Sequence, residues 1–258
     1  MDSTGKEYGI LWQFLAVIMV LLGLVSRSPA APAPTNLDQA DALLASPTLD
    51  YPKAQQALAL YEGLPPDSPS LLARLSRTCF ILGDLSPAEE RRRHYEKGLD
   101  YAERLLAQEP NGVAGHYWKA LHLSGLADIG SQLQGFKLLP QIMEELKRVL
   151  TLDETYDDAG GHRVLGRIYF EAPGWPISVG DKKKSLQHLE TAGRLAPENS
   201  TNHLYLAETW LAMGRKDEAR IELEKVRQDG QHALTPSALE EDRREAYRLL
   251  KEMRGGLP

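Results

Sequence analysis

One cysteine among 258 residues leaves no internal disulfide and no cysteine-rich zinc site. That residue, Cys79, falls on an apolar helical face with Leu75 and Leu82, the setting of a small buried hydrophobe rather than a nucleophile. Aromatic residues are scarce at 7%, and positive charge is in deficit, with 30 Lys and Arg against 36 Asp and Glu for a net charge of −6. A chain of that sign lacks the basic face needed to displace counterions from phosphate, so nucleic acid is not an expected partner. The short basic runs Arg91-Arg92-Arg93 and Lys182-Lys183-Lys184 read as solvated helix starts. There is no glycine-rich phosphate loop, no serine in a nucleophile-elbow motif and no His–Glu zinc signature. Five of the seven histidines lie between residues 94 and 188. His116 and His122 are six apart, on different faces of a helix, whereas a zinc pair wants a spacing of three or four and a third ligand. The reading is of a protein with no catalytic residue, no metal and no cofactor, and not of an enzyme.

What is present begins with residues 10–25, ILWQFLAVIMVLLGLV, in which Gln13 is the one polar side chain. The run is slightly short for a spanning helix and slightly long for a signal-peptide core. An uncleaved membrane anchor is favoured, and a signal peptide cleaved after Ala30 is the alternative. The expected location is the bacterial inner membrane with the body in the periplasm, or a secreted or periplasmic body after cleavage. No cysteine follows the run, which excludes a bacterial lipoprotein anchor. Residues 28–35, SPAAPAPT, are an extended, solvated Pro/Ala spacer.

Beyond the spacer a fixed grammar recurs. The clearest copy is His203, Leu206, Ala207 and Trp210, then Gly214, then Ala219, Leu223 and Val226. A large residue is followed by Leu three later, a small residue, and an aromatic three further on. After a glycine turn, a small residue opens a second helix with apolar residues four and seven later. This resembles the tetratricopeptide (TPR) repeat. The expected fold is all-α: a TPR-like, right-handed superhelical solenoid of about five antiparallel helix pairs behind one N-terminal transmembrane or signal helix. The expected segments are a short N-terminal stretch (1–9), the anchor or signal (10–26), the linker (27–36), the helical repeats (37–232), and a capping helix and tail (233–258).

The first pair is abbreviated, a helix over residues 37–44 and another marked by Ala54, Leu58 and Tyr61. The second starts near Ser70 and continues in a long helix over residues 88–108. The third has a first helix over residues 113–126, an interruption containing Gly130 and Gly135, and a second helix carrying Ile142, Leu146 and Val149. The fourth starts at Gly160-Gly161-His162, with Gly166 small because the partner helix approaches closely. Gly160-Gly161 is either a flexible loop before that helix or an anion site at its N-terminus. Residues 171–180, EAPGWPISVG, interrupt this pair. Trp175 is expected to fold over the groove as a lid or to plug its own repeat interface. Ser237 is the expected N-cap of the last helix, with Glu240 as its capping-box partner.

From Arg91 to Val226 a narrower likeness appears. Its segments are Tyr101-Ala102-Glu103 with Glu109-Pro110, His116-Tyr117-Trp118-Lys119-Ala120, the glycine-containing residues 130–138, and His162-Arg163-Val164-Leu165-Gly166-Arg167 ahead of the Pro/Trp insertion. This order resembles the regulator-of-microtubule-dynamics family and the T component of tripartite ATP-independent periplasmic transporters. The first resemblance implies an interaction protein, membrane-anchored in some relatives. The second implies a periplasmic accessory protein with a pocket or pore for ligand.

In a repeat stack the first helix of each pair lines the groove. The positions read as facing it include Arg77, Tyr117, Arg163, Arg167, Phe170 and Glu208. Arginines on one wall favour an acidic peptide, a C-terminal carboxylate or a small anion, held by charge-assisted and often bidentate hydrogen bonds; alternatively they pair with neighbouring glutamates. The expected partner is a protein segment in the concave groove of a membrane-anchored scaffold, with residues 10–25 in the membrane. The alternative is a small anionic ligand handled for a transport system.

Overall fold

Short polar side chains just ahead of apolar runs start most helices in the computed structural model, which describes residues 35–65, 68–228 and 233–255. The chain divides into two units, Met1–Pro34 and Thr35–Pro258. The expected membrane or signal segment lies outside the described residues, as does nearly all of the linker. Among the described residues no helix is long and apolar enough to cross a membrane. The helices are α1 (Asn36–Leu44), α2 (Tyr51–Glu62), α3 (Pro69–Leu85), α4 (Ala88–Gln108), α5 (Val113–Asp128), α6 (Gln132–Leu152), α7 (Tyr156–Glu171), α8 (Lys182–Leu195), α9 (Ser200–Ala212), α10 (Lys216–Gln228) and α11 (Pro236–Gly255). Thr35 and Asp38 form a reciprocal capping box on α1. Asp50, Ser68, Ser131, Asp181 and Asn199 cap α2, α3, α6, α8 and α9, each accepting a backbone N–H that the first helical turn leaves unpaired.

Two expected boundaries move. α6 begins at Gln132 and contains Gly135, so the interruption shrinks to the turn at residues 129–131. α7 is entered through three residues of left-handed backbone, Asp157, Asp158 and Ala159, and its regular right-handed part opens at Gly160 where the sequence placed it, with both glycines buried. The last helix is capped by Thr235, whose Oγ1 accepts the Ala238 N–H at 3.1 Å. Pro236 is its first residue, a position that needs no N–H, and Ser237 is inside the helix.

The helices pack as pairs, and the first helices of successive pairs, α3, α5, α7, α9 and then α11, also touch. The repeat grammar explains why. Its small position is Ser76, Ala120, Gly166 and Ala207, one per inner helix, all buried. Across from it Leu146, Leu189 and Leu223 of the outer helices are 0% exposed, each worth about 2 kcal/mol in burial. At Gly166 a Cβ would lie 2.5 Å from Leu189 Cγ, which bears out the expected close approach.

The opening histidine of the grammar is a structural bracket. His116 Nδ1 faces Glu145 at 2.6 Å and Nε2 the Pro110 carbonyl at 3.0 Å. His203 repeats this with Glu222 at 2.6 Å and Pro197 at 2.9 Å. Lys119 and Lys225 complete the two clusters, each 2.8 Å from its glutamate. In the pair between, His188 replaces the glutamate and lies 2.9 Å from His162. Burial pushes the Glu145 and Glu222 carboxyls up, but the hydrogen bonds from His and Lys outweigh it and hold both below the ordinary 4.5. A carboxylate depressed on folding adds stability above its unfolded value and loses it as pH falls through the folded one. Parent and Glu145→Gln or Glu222→Gln should therefore differ by about 2 kcal/mol in urea unfolding near pH 7. The gap should narrow as pH drops below 4.5.

Residues 172–181 fold on themselves. The Gly180 N–H donates to Pro173 O at 2.9 Å and the Asp181 N–H to Tyr169 O at 2.8 Å, around an isolated bridge between Gly174 and Gly180. Trp175 is 89% exposed, so it does not plug the repeat interface; Val179 is the loop residue that packs on the core. Ala246 and Leu250 of α11 pack against Leu223 and Val226.

Candidate functional site

The inner helices enclose a cavity of about 400 Å³, and each contributes to it. α3 supplies Phe80 and Asp84, α5 Tyr117 and Leu121, α7 Asp157, Arg163 and Arg167, and α9 Thr201 and Tyr205. The roof comes from the chain itself: Leu234, Ala238, Glu241 and Asp242, at and before the first turns of α11. Leu234 is half-buried and packs against two clusters, one built on α2–α3 and one on Tyr117, Trp118 and Leu121. A second hollow of about 290 Å³ lies between the same segment and Ile81, Asp84 and Arg91.

A strained turn forms the floor. Asp157, Asp158 and Ala159 have φ of 51°, 55° and 59°, left-handed conformations that cost roughly 1–2 kcal/mol each outside glycine. Arg163 holds them. Its guanidinium donates to Asp157 O (3.2 Å), Asp158 O (3.1 Å), Asp157 Oδ2 (2.8 Å) and Asn202 Oδ1 (3.2 Å). Tyr117 donates to Asp157 Oδ2 at 2.5 Å and accepts from Arg163 at 3.1 Å. Asn202 Nδ2 donates to Asp158 O at 3.0 Å and Asn199 Nδ2 to Asp158 Oδ2 at 3.2 Å. The arginine side chain is 11% exposed and every donor named here is consumed internally. Gly160 follows because a Cβ there would lie 2.6 and 2.7 Å from Tyr117 Cζ and Cε2. The glycine pair is required by packing, Gly160 against Tyr117 and Gly161 against Val149 and Leu150.

Arg167 stands higher on the wall. It pairs with Glu171 at 2.6 Å and with Glu208, and its guanidinium lies 4.4 Å from the Tyr205 ring centroid and 5.3 Å from that of Phe170. The two arginines face four lining carboxyls, Asp84, Asp157, Glu241 and Asp242. Burial pushes Asp84 up to about 6 against the Tyr95 hydrogen bond of 2.8 Å. Burial also raises Asp242, against hydrogen bonds from Ser200 and Thr201 of 2.6 and 2.7 Å.

Residues 36–176, more than half of the chain, match the family described as regulator of microtubule dynamics protein 1-3. The chain belongs to the regulator of microtubule dynamics protein 1-3 family. Residues 178–234 match the tetratricopeptide repeat. A solved thermophilic TPR protein of Thermus thermophilus shares the fold, with a TM-score of 0.62 and 23% identity over 82% of this chain and 97% of its own. No curated protein matches the chain.

In this regulator of microtubule dynamics family member the expected groove residues divide. Tyr117, Arg163 and Arg167 share the cavity, with Glu208 and Phe170 held against Arg167. Arg77 is exposed in a separate hollow of about 370 Å³ beside Arg74, Asp41 and Tyr61. Arg74 pairs there with Asp41 at 3.1 Å. Trp175 does not line the cavity. Sequence reasoning missed Tyr205, Thr201 and the roof. Leu204, one residue after His203, enters the core at 5% exposure, and its neighbour Tyr205 lines the cavity, as Val164 does on α7. Among the described residues no group of three or more His, Cys, Asp or Glu is placed to hold a metal.

Proposed function

We propose that this chain is a protein-interaction scaffold whose inner cavity receives a segment of a partner protein. The observation that carries this is the roof. The inner face already holds a peptide segment, its own residues 234–242, with Leu234 set against apolar and aromatic walls. A partner segment would replace that contact, burying an apolar side chain against Phe80, Leu121 and Tyr205. Arg163 has its donors committed to Asp157, and Arg167 has two glutamates, so an acidic segment or small anion would have to displace carboxylates already in place. The lining favours an apolar segment with a basic residue to meet Asp84 and Glu241. A membrane anchor at residues 10–25 remains part of the proposal and rests on the composition of that run.

A photo-reactive amino acid at position 121 or 205 of the full-length chain tests the reading in extract from its host. A discrete partner cross-linked at these positions, and not at Gln187 on an outer helix, is expected. Cross-links confined to the chain's own residues 234–242 at every extract concentration would overturn it.

A further inference from the structure

We propose that the edge of the repeats carrying the turns from inner to outer helices rests on an anionic lipid bilayer, with the loop at residues 172–181 as its wedge. Four large apolar side chains stand exposed on this edge: Leu133 at 64%, Trp175 at 89%, Ile177 at 70% and Met213 at 37%. They come from three successive connections, α5–α6 with the first turn of α6, α7–α8 and α9–α10, and contacts join those connections. Ala172, Pro173 and Ser178 share a cleft with Gly130 and Gln132, and Lys182 Nζ donates to Ala212 O at 3.1 Å. The edge is therefore one surface.

Its chemistry selects the occupant. Trp175 and Ile177 protrude from a loop closed by its own backbone hydrogen bonds. A protein partner would need a matching pocket for such a projection, whereas the interfacial layer of a bilayer accepts it and holds tryptophan at headgroup depth. Lys182, Lys183 and Lys184 follow immediately and are all exposed. Lys184 reaches over the Tyr169 ring, and Lys183 has no ion pair among the described residues. Lys182, Lys183 and Lys184 set three positive charges against Asp181 and Glu171 beside the loop, and Glu171 is already paired with Arg167, a local excess in a chain of net charge −6. Apolar projections beside lysines match an anionic surface. The contact is independent of the inner cavity.

The test uses the full-length chain in vesicles with or without an anionic phosphatidylserine fraction, carrying an environment-sensitive dye on W175C. The native thiol does not compete, since Cys79 is fully buried and burial pushes it up to about 12. The N-terminal apolar run is common to both vesicle types and does not separate them. A blue-shifted dye, quenched by spin-labelled lipid on anionic vesicles only, is expected, with no response from a dye on Q187C. K182E/K183E should weaken the response at least about tenfold, because each lysine near an anionic surface is worth about fivefold in affinity. Equal quenching on neutral vesicles, or none on anionic ones, would overturn the proposal. So would a blue shift without lipid quenching that grows with protein concentration, which would mean a second copy covers the edge.

Discussion

Arg163→Met will cost about 3 kcal/mol or more of unfolding free energy, although the side chain borders the cavity where a ligand contact was expected. The guanidinium does three jobs at once: it neutralises Asp157, donates to the Tyr117 hydroxyl, and ties down two carbonyls of a left-handed turn. Removing one partner of a buried pair strands the other charge, and that stranded charge dominates the loss. Methionine keeps most of the bulk, so the effect is not a cavity effect. Arg163→Lys retains the charge but not the planar fork, and should recover less than half of the loss. Urea unfolding of the three chains at neutral pH reads this directly. A change under about 1 kcal/mol for Arg163→Met would mean that Arg163 does not hold the turn.

Gly160→Ala comes next in size, at about 2–4 kcal/mol. On an ordinary helix this change stabilises. Here the new methyl meets the Tyr117 hydroxyl and ring, which is 1% exposed and cannot swing away. Overpacking of this kind forces side chains off their rotamers. Tyr117→Phe in the same chain should relieve only part of the clash, since Cζ and Cε2 remain 2.6 and 2.7 Å away. A neutral or stabilising Gly160→Ala, read as a shift in the thermal midpoint, would contradict the packing described for the floor.

The helix pairs were legible because each repeat states its packing locally. A small residue opposite a leucine means close approach, as at Gly166 and Leu189. Helix α4 lies where the apolar spacing placed it, residues 88–108. The spacing of His116 and His122 argued against a zinc pair, but the bracket role of the opening histidines was not legible, because Glu145 and Glu222 arrive from the second helix of each pair at distances the spacing does not encode. The left-handed turn was hidden for a similar reason: Asp157 and Asp158 are aspartates, which tolerate positive φ, yet only the contacts of Arg163 and Asn202 stabilise it. The roof was least legible. Leu234 is one apolar residue in a polar stretch, and its burial depends on α11 bringing it back to α3 and α5. Trp175 misled in the opposite sense, since a large apolar residue between two prolines reads as a plug but stands in solvent.

If the inner cavity is a peptide site already occupied by the chain's own segment, loosening that segment should open it to a partner. The comparison to make is the cross-link yield to the partner at position 205 between the parent chain and Leu234→Asp, at equal protein concentration. Charging Leu234 should release the roof from the apolar walls of Tyr117 and Leu121, remove the internal competitor and raise the yield severalfold. A yield that is unchanged or lower in Leu234→Asp would contradict the peptide-site reading, because the roof would then be part of the partner site or irrelevant to it.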